Sequence, residues 1–329
     1  MINKFVSFFT LLLITFSALA SHPKEDVEKW LAKMHHAAHM INYEGNFVYG
    51  QDNELTSMQI IHSVDQKGEF ERLISLDGSG REVIRSGDTV TCVLPDKKSV
   101  VVDKSRPDAE FPPMFPLKIE QLLKTYSFHF GDDAVVAGQT AKKLIIKPKD
   151  KYRYGHILWV DAKTGLLLKD HLLDENHKIV ELFMFTQINY PAVIDKSRLL
   201  SDSQSKTYTW YEAKDFKTKD NVNKSMNWRV MQVPAGFVPG VKRHHNMTVS
   251  AMPVEHFVYS DGLSSVSIFV EKKMKSSKNL MGGSTMGAVN AYGREIKDYH
   301  VTVVGEVPYA TVKMIGDSVE HVSIDNVKH

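Results

Sequence analysis

YRYGHILWVDAKTGLLLKDHLLDENHKIVELFMFTQIN, residues 152–189, decides the fold. Three runs rich in Leu, Ile, Val and Phe are parted by two short groups, Ala162-Lys163-Thr164-Gly165 and Asp174-Glu175-Asn176-His177. Asp and Asn favour turns because their side chains bond the nearby backbone, and Gly because it tolerates positive φ. Apolar runs joined in this way read as consecutive β-hairpins. Strands are predicted over 152–161, 166–174 and 179–189.

The same pattern extends toward the N-terminus. Short β segments are predicted at 128–130, 133–136 and 142–146, and earlier at 45–50, 57–63, 69–76, 82–85, 89–94 and 99–102. Their spacing, about ten residues, predicts an antiparallel meander. Between the two series, four of the twelve prolines fall within 107–116, together with Phe111, Met114 and Phe115. Proline lacks the ladder donor, so this stretch is expected as a rigid apolar loop, followed by a short helix at 118–125. Upstream, Val27, Trp30, Leu31, Met34, Ala38 and Ile41 recur at helical spacing and predict a helix within 23–41.

Toward the C-terminus the character changes. Residues 201–223 are rich in Ser, Lys, Asp, Thr and Asn, although Tyr208, Trp210 and Tyr211 are unusual for a free connector. The trio reads as a strand or as a packing patch. A smaller unit follows, with strands expected near 228–233, 241–249, 256–260, 266–271, 288–294 and 299–305. A small-residue loop is expected at 279–285 and a closing helix at 307–317. At the other end, Lys4, the apolar run 5–16 and Ala18-Leu19-Ala20 have the form of a cleavable export signal. The expected organisation is a signal peptide at 1–20 cut after Ala20, a large domain at 21–200, a linker at 201–225 and a small domain at 226–329.

Composition excludes several chemistries. The 329 residues carry 41 Lys and Arg against 39 Asp and Glu, so no global basic footprint marks a nucleic-acid partner. One cysteine, Cys92, permits no internal disulfide and no thiolate cluster. Nucleophile-elbow, zinc-helix, phosphate-loop and dinucleotide motifs are absent. Asp77-Gly78-Ser79-Gly80 joins two strands and reads as a turn, because a phosphate cradle needs a helix after it. His35 and His39 stand four apart on the first helix, but no carboxylate or cysteine lies nearby in sequence, so a polar helix flank is the simpler reading. No catalytic residue, metal site or cofactor is assigned. A long meander can instead curl around an apolar concavity that receives lipid.

Taken in order, several motifs resemble the MucB/RseB family of periplasmic sigma-E regulators. They are residues 76–87 (LDGSGREVIRSG), Tyr152-Arg153-Tyr154, Leu158-Trp159-Val160-Asp161 and Thr164-Gly165-Leu166-Leu167. Farther on come Pro234-Ala235-Gly236-Phe237, Tyr259-Ser260-Asp261-Gly262-Leu263 and Val304-Gly305-Glu306-Val307-Pro308. The resemblance runs from about residue 41 to 317. It implies an α+β fold: a large LolA/LppX-like antiparallel half-barrel with helices on its concave side, plus a smaller C-terminal α+β domain. It implies a periplasmic protein that is not an enzyme. Such a protein binds the periplasmic domain of a membrane-spanning anti-sigma factor, shields it from site-1 proteolysis, and releases it on binding lipopolysaccharide or another lipid. A homo-oligomer is also expected.

By position, the resemblance places Tyr259, Asp261, Arg294 and Glu306 near the partner surface, with Tyr208 and Trp210 at the domain junction. Asp261-Gly262 also reads as a plain turn, and Glu306 as a helix cap. For lipid the candidates are Phe47, Leu73, Leu122, Leu144, Leu158 and Phe183, each of which also reads as ordinary core. A periplasmic lipid or lipoprotein carrier is the alternative function, although simple carriers lack a second domain. An exported hydrolase is the third, and the missing motifs weigh against it.

Overall fold

The computed structural model describes residues 23–78, 80–104, 119–201, 207–212, 227–246, 253–273 and 279–322. The predicted leader, the proline-rich stretch and most of the polar connector lie outside these residues.

Helix α1 (Pro23–Met40) buries Val27, Leu31, Met34 and Ala37, one face at a spacing of three and four. Six strands follow: β1 (Tyr43–Gln51), β2 (Glu54–Asp65), β3 (Gly68–Ser75), β4 (Glu82–Ser86), β5 (Thr89–Leu94) and β6 (Ser99–Lys104). After helix α2 (Ile119–Thr125) come β7 (Tyr126–Phe130), β8 (Ala134–Val136), β9 (Gln139–Pro148), β10 (Gly155–Asp161), β11 (Leu167–Leu173) and β12 (Ile179–Asn189). A last strand, β13 (Thr209–Glu212), completes the sheet.

The order across the sheet is β13-β6-β5-β4-β3-β2-β1-β12-β11-β10-β9-β7, with β8 paired to β9. The first strand thus pairs with the last hairpin strand, β1 against β12, which closes the meander on itself at its middle. The ends β13 and β7 stay apart, so the sheet is open. Alternation sends Phe47, Leu144, Ile146, Leu158, Val160, Phe183 and Phe185 to one face. There they meet α1 and the buried Ile119 and Leu122 of α2 in one core. Phe47, Phe183 and Phe185 stack edge to face, with centroids 5.1 to 5.9 Å apart.

Gly165 shows why α1 sits where it does. Its φ is +90°, and a Cβ there would stand 2.5 Å from Cγ of Lys33 and 2.7 Å from its carbonyl oxygen. Only glycine lets the β10–β11 turn approach the helix this closely. Lys33 Nζ then donates to the Ala162 carbonyl, 2.6 Å away.

The smaller sheet contains β15 (Val238–Asn246), β16 (Pro253–Ser260), β17 (Ser265–Lys272), β18 (Gly282–Met286), β19 (Val289–Ile296) and β20 (Tyr299–Gly305), in the order β15-β16-β17-β20-β19-β18. Preceding it, β14 (Trp228–Val230) pairs with β21 (Val319–His321), which follows α3 (Tyr309–Asp317). Val312 and Ile315 of α3 pack on Val301, Val303, Ile268 and Phe257.

Two expectations are revised. The large sheet is not wholly antiparallel, because β13 runs parallel to β6, with Trp210 opposite Val100. β13 follows β12 and the turn Lys196–Leu199 in sequence, so its pairing with β6 is long-range and not a hairpin. The expected loop at 279–285 contains strand β18. One of its glycines meets a neighbour: a Cβ on Gly283 would fall 2.5 Å from the Tyr309 ring.

Candidate functional site: the seam between the two sheets

Residues 152–154 lie between β9 and β10, and all three bond to the smaller unit. The Tyr152 carbonyl accepts from Thr311 Oγ1 at 2.6 Å. Tyr154 Oη accepts from Asn290 Nδ2 at 3.0 Å, and that amide also donates to the Val307 carbonyl at 2.8 Å. Arg153 between them has no exposed side-chain surface. Its Nε donates to Asp261 Oδ2 at 2.9 Å, Nη1 to Asp150 Oδ2 at 2.7 Å and Nη2 to the Ala235 carbonyl at 2.6 Å. The rings of Tyr126 and Phe237 flank the guanidinium at 5.5 and 5.3 Å.

Asp261 answers with both oxygens. Oδ1 accepts the Leu263 and Ser264 N–H groups at 3.0 and 2.9 Å, the turn its neighbours predict. Oδ2 receives Arg153 and also the Tyr126 hydroxyl, at 2.9 Å. Burial, then the Asp261 charge, raises the Tyr126 phenol far above its ordinary value, so it stays protonated and donates. Nearby, Gly236 has φ +89°, and a Cβ there would lie 2.6 Å from Thr125 Cγ2. The Pro234–Phe237 turn therefore seats directly on the end of α2.

A second part of the seam is acidic. His156 Nδ1 lies 3.1 Å from Asp170 Oδ2. Burial alone would lower His156, but the charge and hydrogen bond of Asp170, with the charges of Glu306 and Glu181, together outweigh it and raise the imidazole. Burial raises Glu181, against a hydrogen bond from Tyr49. Glu306 enters from the smaller unit. Lost hydration in the cleft raises its carboxyl, Glu181 and Asp170 push the same way, and His156 opposes them. The Glu306 side chain still meets water, which screens the effect.

The structure thus separates the six partner candidates. Asp261 is enclosed in the seam and offers no free surface in this arrangement. Glu306 borders the cleft. Tyr259 is half-buried against the small core. Arg294 reaches the Val319 carbonyl at 2.6 Å and ties β19 to β21. Tyr208 and Trp210 lie at the β13 edge of the large sheet; Trp210 is 53% exposed and borders a cavity of about 190 Å³ with Ile84, Val100 and Leu199. The lipid candidates do come together. Phe47, Leu122, Leu144, Leu158 and Phe183 are buried in one core and Leu73 packs against it, but α1 and α2 fill the space.

Sequence reasoning gave no role to Arg153, Tyr126 or Asn290. The strand expected from residue 152 begins only at Gly155, and Tyr152–Tyr154 form the turn before it, from which Arg153 reaches Asp261. Sequence reasoning also missed the partner of His39: Glu69 of β3, whose other oxygen meets His62 of β2. Among the described residues no group is arranged to hold a metal ion, and no helix is long and apolar enough to cross a membrane.

A large sheet holding helices against its core, clasped to a second small sheet through a buried charge pair, defines a two-part mostly-β protein. The family models agree with that division. Residues 26–202 match the MucB/RseB N-terminal domain and 222–320 the MucB/RseB C-terminal domain. The chain therefore belongs to the MucB/RseB family of sigma-E factor regulatory proteins, which are regulators and not enzymes. The sigma factor AlgU regulatory protein MucB of Pseudomonas aeruginosa is 29% identical over 316 residues, covering 94% of this chain and 95% of that protein. The sigma-E factor regulatory protein RseB of Haemophilus influenzae is 26% identical over 311 residues, covering 94% and 96%. The crystal structure of MucB in complex with MucA(peri) superposes with a TM-score of 0.68 at 28% identity, over 90% of this chain and 98% of that one.

Proposed function

We propose that this chain is exported to the periplasm, binds the periplasmic domain of a membrane-spanning anti-sigma factor and shields it from site-1 proteolysis. Lipopolysaccharide or another lipid, entering the half-barrel core, releases it. The observation that carries this reading is the likeness, across both units, to a MucB that was crystallised in complex with MucA(peri). The seam supplies a physical route: lipid and partner are coupled if each favours a different setting of the two units. Tyr259, Arg294, Glu306, Tyr208 and Trp210 are the proposed contacts, with Asp261 joining them if the seam opens. Phe47, Leu73, Leu122, Leu144, Leu158 and Phe183 are the proposed lipid contacts, reached when a helix moves aside. A homo-oligomer is part of the same proposal.

Titration of the mature chain with the anti-sigma periplasmic segment, followed by protease challenge with and without lipopolysaccharide, tests it. Binding, protection and loss of protection with lipid are expected. No binding at micromolar concentrations would overturn the proposal.

A further inference from the structure

His62 of β2 is fully buried, and both of its ring nitrogens meet oxygen. Nδ1 lies 2.9 Å from the carbonyl oxygen of Ile41, the residue after α1. Nε2 lies 3.0 Å from Glu69 Oε1 on β3. The second oxygen of Glu69, Oε2, lies 3.0 Å from Nδ1 of His39 in the last turn of α1.

A carbonyl oxygen and an ionised carboxylate only accept. A neutral imidazole has one N–H and one lone pair, so it satisfies one of these partners and opposes the other. The chain of contacts from Ile41 through His62 to Glu69 therefore needs one proton more than a neutral histidine and a carboxylate carry together. Its simplest form is an imidazolium facing a carboxylate. The Tyr43 ring stacks on His62 at 4.6 Å and 18°, a face that favours a cation. Burial alone would raise the Glu69 carboxyl, but hydrogen bonds from His62 and His39 outweigh it and hold the group below its ordinary value.

The surrounding titratable groups come from several elements. His35 and His39 come from α1, with rings 4.9 Å apart, and Tyr43 from β1. Glu69 and Glu71 come from β3, Glu71 standing opposite His62 in the ladder. Arg85 of β4 stands opposite Glu71, and Tyr190 follows β12. Two carboxylates and one guanidinium thus surround the pair of histidines.

We propose that this extra proton is a latch on α1: with it, His62 ties the helix end to β3, and without it one of the two bonds opens and the helix end frays. The latch holds while Glu69 is ionised and both His62 nitrogens carry a proton, and it weakens when that extra proton is lost. Beneath the helix lies the core of Phe47, Leu158 and Phe183. That the latch governs entry of a lipid chain rests on the proposed function; the latch itself does not.

Hydrogen exchange on the full chain, without lipid, tests it between about pH 5.5 and about pH 8, corrected for the intrinsic rate. Amides of residues 37–41 are expected to open more often as pH rises, by up to about tenfold per pH unit for one linked proton. In Glu69→Gln, the amide donates to the lone pair of a neutral His62 and accepts from His39. Protection should then persist and lose its pH dependence, whereas a merely structural Glu69 would leave the helix end loose at every pH. A flat profile in the unaltered chain, or an equal slope in Glu69→Gln, overturns the latch. Nitrogen chemical shifts give an independent check: His62 should be doubly protonated at neutral pH, and a neutral tautomer there overturns the proposal.

Discussion

Arg153 and Asp261, 108 residues apart in sequence, meet at 2.9 Å with no side-chain exposure on either. One belongs to the large sheet's β9–β10 turn and the other to the small sheet's β16–β17 turn, so the contact joins the two units. A buried pair of this kind is not itself a strong source of stability, because both ions are stripped of water. Its value is specificity: an unpaired ion left in the seam is costly, which opposes other settings of the two units.

Removing one partner exposes that cost. Asp261→Ala should destabilise the protein, by at most about 3–5 kcal/mol, because buried Arg153 keeps only the partly exposed Asp150 and the Tyr126 hydroxyl loses its acceptor. Denaturant unfolding checks this, and a loss below about 1 kcal/mol would mean that the seam opens freely to water.

Gly165→Ala should unseat α1. It combines a positive φ with a Cβ placed against Lys33, and about 1–3 kcal/mol is expected for the strain alone. Thermal melting gives the loss, and faster proteolysis within α1 locates it.

Phe47→Ala should cost about 3–5 kcal/mol, as expected for a large cavity in a packed core. If lipid uses this core, the cavity should also tighten uptake of a fluorescent fatty acid relative to the unaltered chain. Loss of stability with unchanged uptake would remove Phe47 from the lipid site.

Glu306 and Glu181 are both raised in the folded state. The folded chain therefore keeps protons that the unfolded chain gives up, and their contribution to stability falls as pH rises from the ordinary carboxylate value through the raised ones. Glu306→Gln removes part of that loss. Its melting temperature should exceed that of the unaltered chain near neutral pH and converge with it in acid; a constant offset would contradict the assignment.

Trp210→Ala touches a half-exposed ring on a short edge strand, so stability should change by less than about 1 kcal/mol. Calorimetric titration with the anti-sigma segment should nevertheless show weaker binding if this edge meets the partner. Unchanged affinity would place the interface elsewhere.

The hairpins at 152–189 were legible because turn residues and apolar runs act locally. The face of α1 was legible for the same reason, since periodicity is written within one segment, although Ala37 and not Ala38 is the alanine it buries. Strand β18 was not, because glycine and serine suggest a loop until Tyr309 is seen to need the space. The parallel strand β13 was left open between two readings, since nothing in Tyr208-Thr209-Trp210-Tyr211 states which edge it joins.

For the site the division is sharper. The chain's own residues carried the hairpin meander, the stripe of α1 and the smaller following unit, and the order of its motifs carried the family. Only the tertiary structure showed that Asp261 faces inward to Arg153, that α1 and α2 occupy the apolar core, and that His62 stands between Ile41 and Glu69. Such contacts join elements with no common period or turn. A side chain's charge and shape are set by its own residue, but the partner that satisfies it is chosen by the packing of distant strands, where burial makes an unmet hydrogen bond or charge too costly to leave.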